Sequence, residues 1–82
     1  MVNVVWTDKF ENKVRKIKDS AVKEKIKKQI EKIIGNPVVG KPLRLSMKGE
    51  KTLRVHPFRI IYSTQNNTIY LLDFDHRKNV YQ

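Results

Sequence analysis

Between Gly35 and Pro42 the spacing of apolar residues changes from a period near 3.6 to a period of 2. That switch dictates a helical half followed by a stranded half. Ahead of it, Val2 to Trp6 is a short β-branched run that predicts a first strand. Asp8 and Glu11 have capping-box spacing and predict a helix start. Phe10, Val14 and Ile17 then share one helical face. Asp19-Ser20 breaks that helix and caps a second, whose face carries Val22, Ile26, Ile30 and Ile33. Gly35 predicts a left-handed cap, and Pro37 stops the helix. Beyond the switch, Leu43, Leu45 and Met47 alternate with Arg44 and Ser46, and Leu53 and Val55 alternate with Arg54 and His56. Phe58–Ser63 and Ile69–Phe74 read as two strands, joined by a tight turn at Asn66-Asn67. The expected fold is α+β: a short N-terminal strand and two antiparallel helices packed on one face of a roughly four-stranded antiparallel sheet. Trp6 and Phe10 are expected in its core.

At 82 residues the chain is read as a single domain, 1–82, too short for a doubly wound nucleotide fold or a barrel enzyme. An apolar content of 39% suffices for a small core and argues against full disorder. Cysteine is absent, which excludes disulfide staples and thiolate metal sites. With no signal-peptide pattern and no apolar run of bilayer length, the expected location is the cytoplasm, with no membrane partner.

Lys and Arg outnumber Asp and Glu by 18 to 8, a formal charge of +10, so an acidic partner is expected. The cations fall into two populations. Ten lie between Lys9 and Lys32, and only Arg15 among them is arginine; of the eight from Lys41 onward, half are arginine. Lysine suits a solvated helix face, whereas arginine offers a planar fork that pairs bidentately with phosphate. Alternation places Arg54 and Arg59 opposite their apolar neighbours, on the sheet face the helices leave uncovered, together with Ile61. Arg77 adds a third guanidinium near the chain end. A histidine side chain can give or take a proton at neutral pH, which makes His76 a candidate, and Tyr81 offers a ring for stacking on a base. Asp73 and Asp75 share a strand face and are expected to pair with Lys or Arg, and His56 to lie in a turn. No nucleophilic triad, phosphate-cradling glycine loop, metal site or cofactor site is expected. Basic groups of this kind suit RNA cleavage without a metal: the 2′-hydroxyl attacks the adjacent phosphate, leaving a 2′,3′-cyclic phosphate and a free 5′-hydroxyl.

Leu53-Arg54-Val55, then Phe58-Arg59-Ile60-Ile61-Tyr62, then His76-Arg77 with Val80-Tyr81, resemble the RelE/ParE superfamily of toxins from bacterial and archaeal toxin–antitoxin pairs. The resemblance spans nearly the whole chain. It implies a RelE-like fold and a ribosome-dependent endoribonuclease, an mRNA interferase that cuts mRNA in the A site and is neutralised by an acidic, RelB-like antitoxin in a heteromeric complex. It implies that Arg59 holds the scissile phosphate, that Arg77 stabilises charge there, and that Tyr81 stacks on a base. Arg54 stands where many members have Lys or Arg, and Arg44, Lys48, Lys51 and Lys78 are the expected RNA-binding cations. Some members alternate two lysines on the strand where this chain has Thr52 and Arg54, one of them serving as base. Arginine stays protonated and is a poor base, which leaves Lys51, Lys48, Glu50 or His76 for that role. Two other readings share these residues: a ParE-like inhibitor of DNA gyrase and a non-catalytic basic RNA-binding module.

Overall fold

The computed structural model describes residues 2–42 and 49–76. Its elements are β1 (Asn3–Trp6), α1 (Asp8–Arg15), α2 (Ser20–Gly35), β2 (Lys41–Pro42), β3 (Lys51–Val55), β4 (Phe58–Gln65) and β5 (Thr68–His76). The strands form one mixed sheet in the order β1-β5-β4-β3-β2. The fold is α+β as expected, but among the described residues the sheet has five strands rather than about four and is not purely antiparallel. β1 pairs in parallel with β5, from Asn3 opposite Thr68 to Trp6 opposite Leu71. Its partner is the last strand of the described chain, a pairing that no local sequence signal announces. β2 is a two-residue strand on Thr52 and Lys51, too short for period-2 alternation to reveal.

α1 starts one residue earlier than the capping box predicts. Thr7, not Asp8, is the N-cap, and its Oγ1 accepts from the Phe10 N–H at 3.3 Å. The same hydroxyl donates to the Leu71 carbonyl at 2.6 Å. The pairing of β4 with β5 slips here, Ile61 facing Asp73 but Tyr62 facing Leu71, so that Leu72 is the extra residue of a bulge. Thr7 thus seats the start of α1 against the bulge, and α1 continues alongside β5 where β1 stops.

Asp19 caps α2 as expected, accepting from the Ala21 N–H at 2.9 Å. Its other end differs from expectation. Gly35 is the last helical residue, and Asn36 caps the helix with an extended φ of −151°. The left-handed glycine of the described chain is Gly49, at φ +71°. Asn66 and Asn67 have φ of 50° and 61°, making the two-residue β4–β5 turn the sequence predicts.

α1 packs on β5 and α2 on β3, both on one sheet face. The core between the layers holds Phe10, Ile26, Ile30, Ile33, Val55, Ile60, Tyr62, Ile69, Leu71 and Phe74, all buried. Burying each such side chain contributes about 1.5–3 kcal/mol. Phe10 meets Phe74 edge to face, with centroids 6.2 Å apart. Trp6 departs from the expected core position: it stays 45% exposed and touches Phe10 edge-on at 5.3 Å. No helix among the described residues is long and apolar enough to cross a membrane.

Candidate nucleic-acid interface

The β3–β4 hairpin turns at His56-Pro57, and its register sets Arg54 directly opposite Arg59. Residues facing each other across a ladder point to the same side. Both arginines therefore stand on the face away from the helices, in phase with Thr52 and Ile61. Arg54 is exposed, whereas Arg59 keeps only 8% of its surface. Facing each other across the ladder, the two guanidiniums can both reach one bound anion. They line one cleft of about 300 Å³ with Val39, Lys41, Thr52 and Leu53. Thr52 is 3% exposed, and its Oγ1 makes no hydrogen bond among the described residues. It is a buried hydroxyl at the cleft with bonding capacity to spare.

Two residues of the cleft, Val39 and Lys41, lie on a segment held by Tyr62. This side chain is fully buried, and its Oη accepts from the Gly40 N–H at 2.9 Å and donates to the Pro37 carbonyl at 2.8 Å. It ties the loop after α2 to the sheet and so positions Val39 and Lys41. Burial pushes its pKa above the ordinary phenol value, with the Gly40 hydrogen bond opposing in part. Gly40 fits because it has no side chain: a Cβ there would lie 2.6 Å from Tyr62 Oη and 3.0 Å from the Thr52 carbonyl.

On the β5 side the arginine pair is flanked by carboxylates. Asp75 is the β5 partner of Arg59, and Asp73 that of Ile61. Both are engaged from α1 as expected. Lys13 Nζ lies 2.8 Å from Asp73 and 3.1 Å from Asp75, and Lys9 lies 3.3 Å from Asp73. The hydrogen bond to Asp73 is the main cause of the raised Lys13 pKa.

The structure does not bring every predicted residue to this cleft. His76 is paired with Phe58, one register step from Asp75, and points to the other face, where its ring sits edge-on to Phe58 at 5.9 Å. Alternation likewise puts Lys51 on the side of Leu53 and Val55, opposite Arg54. Arg44, Lys48, Arg77, Lys78 and Tyr81 lie outside the described residues, as do Leu43, Leu45, Met47 and Val80. His56 is a turn residue, as expected. The sequence reading missed the Thr52 hydroxyl; a lone polar residue in phase with two arginines was the available signal. No group of three or more potential metal-ligating side chains occurs among the described residues.

Residues 4–81 match the family model for the ParE toxin of the type II toxin–antitoxin system, parDE. The chain belongs to this family, within the RelE/ParE superfamily of type II toxins. No curated protein sequence matches the toxin. Among solved structures it is similar to the YoeB dimer from Staphylococcus aureus, with a TM-score of 0.79 at 18% identity over 92% of this chain and 95% of that one. YafQ from E. coli superimposes over the full length of both chains, with a TM-score of 0.79 at 17% identity. The E. coli RelBE toxin–antitoxin complex gives a TM-score of 0.74 at 18% identity, over 93% and 96% of the two chains. At these identities the likeness establishes a shared fold. The toxin retains that fold with Thr52 and Arg54 on the strand beside Arg59.

Proposed function

We propose that the toxin is a ribosome-dependent endoribonuclease that cleaves mRNA in the A site by attack of a 2′-hydroxyl on the adjacent phosphate. The observation that carries this reading is the facing pair Arg54 and Arg59 at one cleft with the Thr52 hydroxyl. Two guanidiniums on neighbouring strands can grip the non-bridging oxygens of one phosphate as charge builds there. Arg59 is largely desolvated, which strengthens its pull on an anion. Arg77 adds charge and Tyr81 stacks on a base, as the resemblance implies. The 2′-proton needs an acceptor, which arginine is not. Of the four candidates, Lys51 and His76 face the other side and Lys48 lies outside the described residues. Glu50 immediately precedes β3 in the same alternation phase as Thr52 and Arg54, so Glu50 and Lys48 are the two groups left for the role of base. Single-stranded RNA in the cytoplasm is the substrate, the ribosome presents it, and a cognate acidic antitoxin opposes the cationic surface.

A second reading has its own support. The matching family model is named for ParE, and Thr52 stands where some superfamily members use a lysine. A toxin that inhibits DNA gyrase through a basic surface would need no base.

Growth after induction separates a working phosphate grip from a bystander. Arg59→Gln and Arg54→Gln should each reduce cleavage by about 10²–10³-fold, the typical cost of losing one transition-state charge contact. Both should relieve growth arrest while still binding antitoxin. Because Arg59 is buried, circular dichroism on both variants guards against misfolding, and the exposed Arg54→Gln carries the test if Arg59→Gln unfolds. Full arrest by folded double-variant protein would overturn the assignment.

A further inference from the structure

A second groove of about 490 Å³ lies between α2 and the end of the β3–β4 hairpin, lined by Lys25, Lys28, Gln29, Lys32, Arg54, Val55 and His56. Three of its lysines stand on one side of α2 at i, i+3 and i+7, spanning about 10 Å at the helical rise. Gln29 fixes the helix to the hairpin, its Nε2 donating to the Arg54 carbonyl at 2.8 Å.

The groove joins the candidate site. β2 pairs only with Lys51 and Thr52, so Leu53–Val55 forms a free edge of β3 among the described strands. One cleft opens on one side of that edge and the second groove on the other, and Arg54 lines both. The two meet at Arg54, on the edge of β3.

The groove's charge is also uncompensated. On α1, Lys9 and Lys13 are taken by Asp73 and Asp75, and Arg15 by Glu11. Among the described residues no ion pair involves Lys25, Lys28, Lys32 or Arg54, and no carboxylate lines the groove. Of the two acids on α2, Glu31 lines a different, apolar depression beside Trp6 and Ile30, and Glu24 is exposed outside the groove. With no carboxylate in its lining, the groove offers its cations as a favourable path for a polyanion.

We propose that this groove is a backbone track for the RNA strand whose scissile phosphate lies at Arg54 and Arg59, with Lys25, Lys28 and Lys32 contacting phosphates of the adjoining nucleotides. The proposal rests on the RNA reading and extends it by a length of strand the site grips outside the cleft. A second copy of the chain is a poor occupant, because two bodies of formal charge +10 repel.

The test is binding of a labelled 12-nucleotide single-stranded RNA by the full-length chain across a salt series. Lys25→Gln/Lys28→Gln/Lys32→Gln is compared with Lys18→Gln/Lys23→Gln/Lys27→Gln, which removes the same charge outside the groove. Glutamine keeps helix propensity close to that of lysine, so both variants should fold. The groove variant should lose at least tenfold in affinity, and its log–log salt slope should fall by about 2, near 0.7 per phosphate contact on a single strand. The control should lose less than half of that slope. Equal losses in the two variants, or no measurable binding by the unaltered chain, would overturn the track. Cleavage is not read in this assay. A failed track with intact cleavage therefore contradicts only this inference, and intact salt-dependent binding without cleavage contradicts only the ribonuclease.

Discussion

Thr52 carries a stability cost at the cleft within a single residue. Its hydroxyl is buried without a hydrogen bond, a condition that costs about 1–3 kcal/mol. Thr52→Val keeps the shape and removes the cost. Thermal melting should rise by a few degrees, consistent with roughly 1 kcal/mol in a domain of this size. If the hydroxyl meets the bound nucleotide, the stabler variant should cleave more slowly, a trade expected where a site holds unspent polar groups. A variant that melts higher and cleaves at the original rate would remove Thr52 from the site. The arginines follow a different residue-scale logic. Their value lies in register: Arg54 and Arg59 face each other because a two-residue turn at His56-Pro57 leaves no slippage in the hairpin. A shift by one residue would send one of them to the helix-covered side.

At the scale of elements, the cleft is held by the tie between β4 and the loop after α2. Tyr62→Phe strands the Gly40 N–H and the Pro37 carbonyl and should destabilise the fold by about 1–3 kcal/mol, measured by denaturant unfolding. The pH dependence has a definite sign. The folded-state pKa of Tyr62 is raised, so unfolded chains lose this proton first as pH rises. Stability should be intact below about pH 10 and fall above it. Lys13, also raised through Asp73, acts in the same direction. In Tyr62→Phe the alkaline fall should be shallower; an unchanged slope would remove Tyr62 as its source. This tie was invisible in the sequence, because nothing local connects Gly40 with Tyr62. Elements with a local signature were legible: the Asp19 cap, the apolar stripe through Ile26, Ile30 and Ile33, and the Asn66-Asn67 turn. The rest depended on distant partners. Thr7 outcompetes Asp8 as a cap because its hydroxyl also reaches Leu71, and β1 finds its register only on β5. The phase of Arg54 and Arg59 could be read from alternation. That of His76 could not be, because proximity to Arg77 in sequence says nothing about the face on which a strand residue lands.

Taken as a whole molecule, the toxin sorts its charge by side. Eight carboxylates cannot balance eighteen cations, and three of them are spent on α1 lysines and Arg15. The edge formed by α2 and β3 is left strongly cationic, running from Lys32 and Lys25 past Arg54 to Arg59. A surface of this kind accelerates encounter with a polyanion and loses strength as salt rises. In the proposed reaction the ribosome presents the flexible RNA to this surface. The central claim is that this surface cuts mRNA, and primer extension on translated mRNA after induction tests it most directly. The account predicts cleavage ends phased with codons in the presence of the toxin and none with Arg59→Gln. Growth arrest accompanied by intact mRNA, with gyrase-dependent DNA breaks in its place, would contradict it.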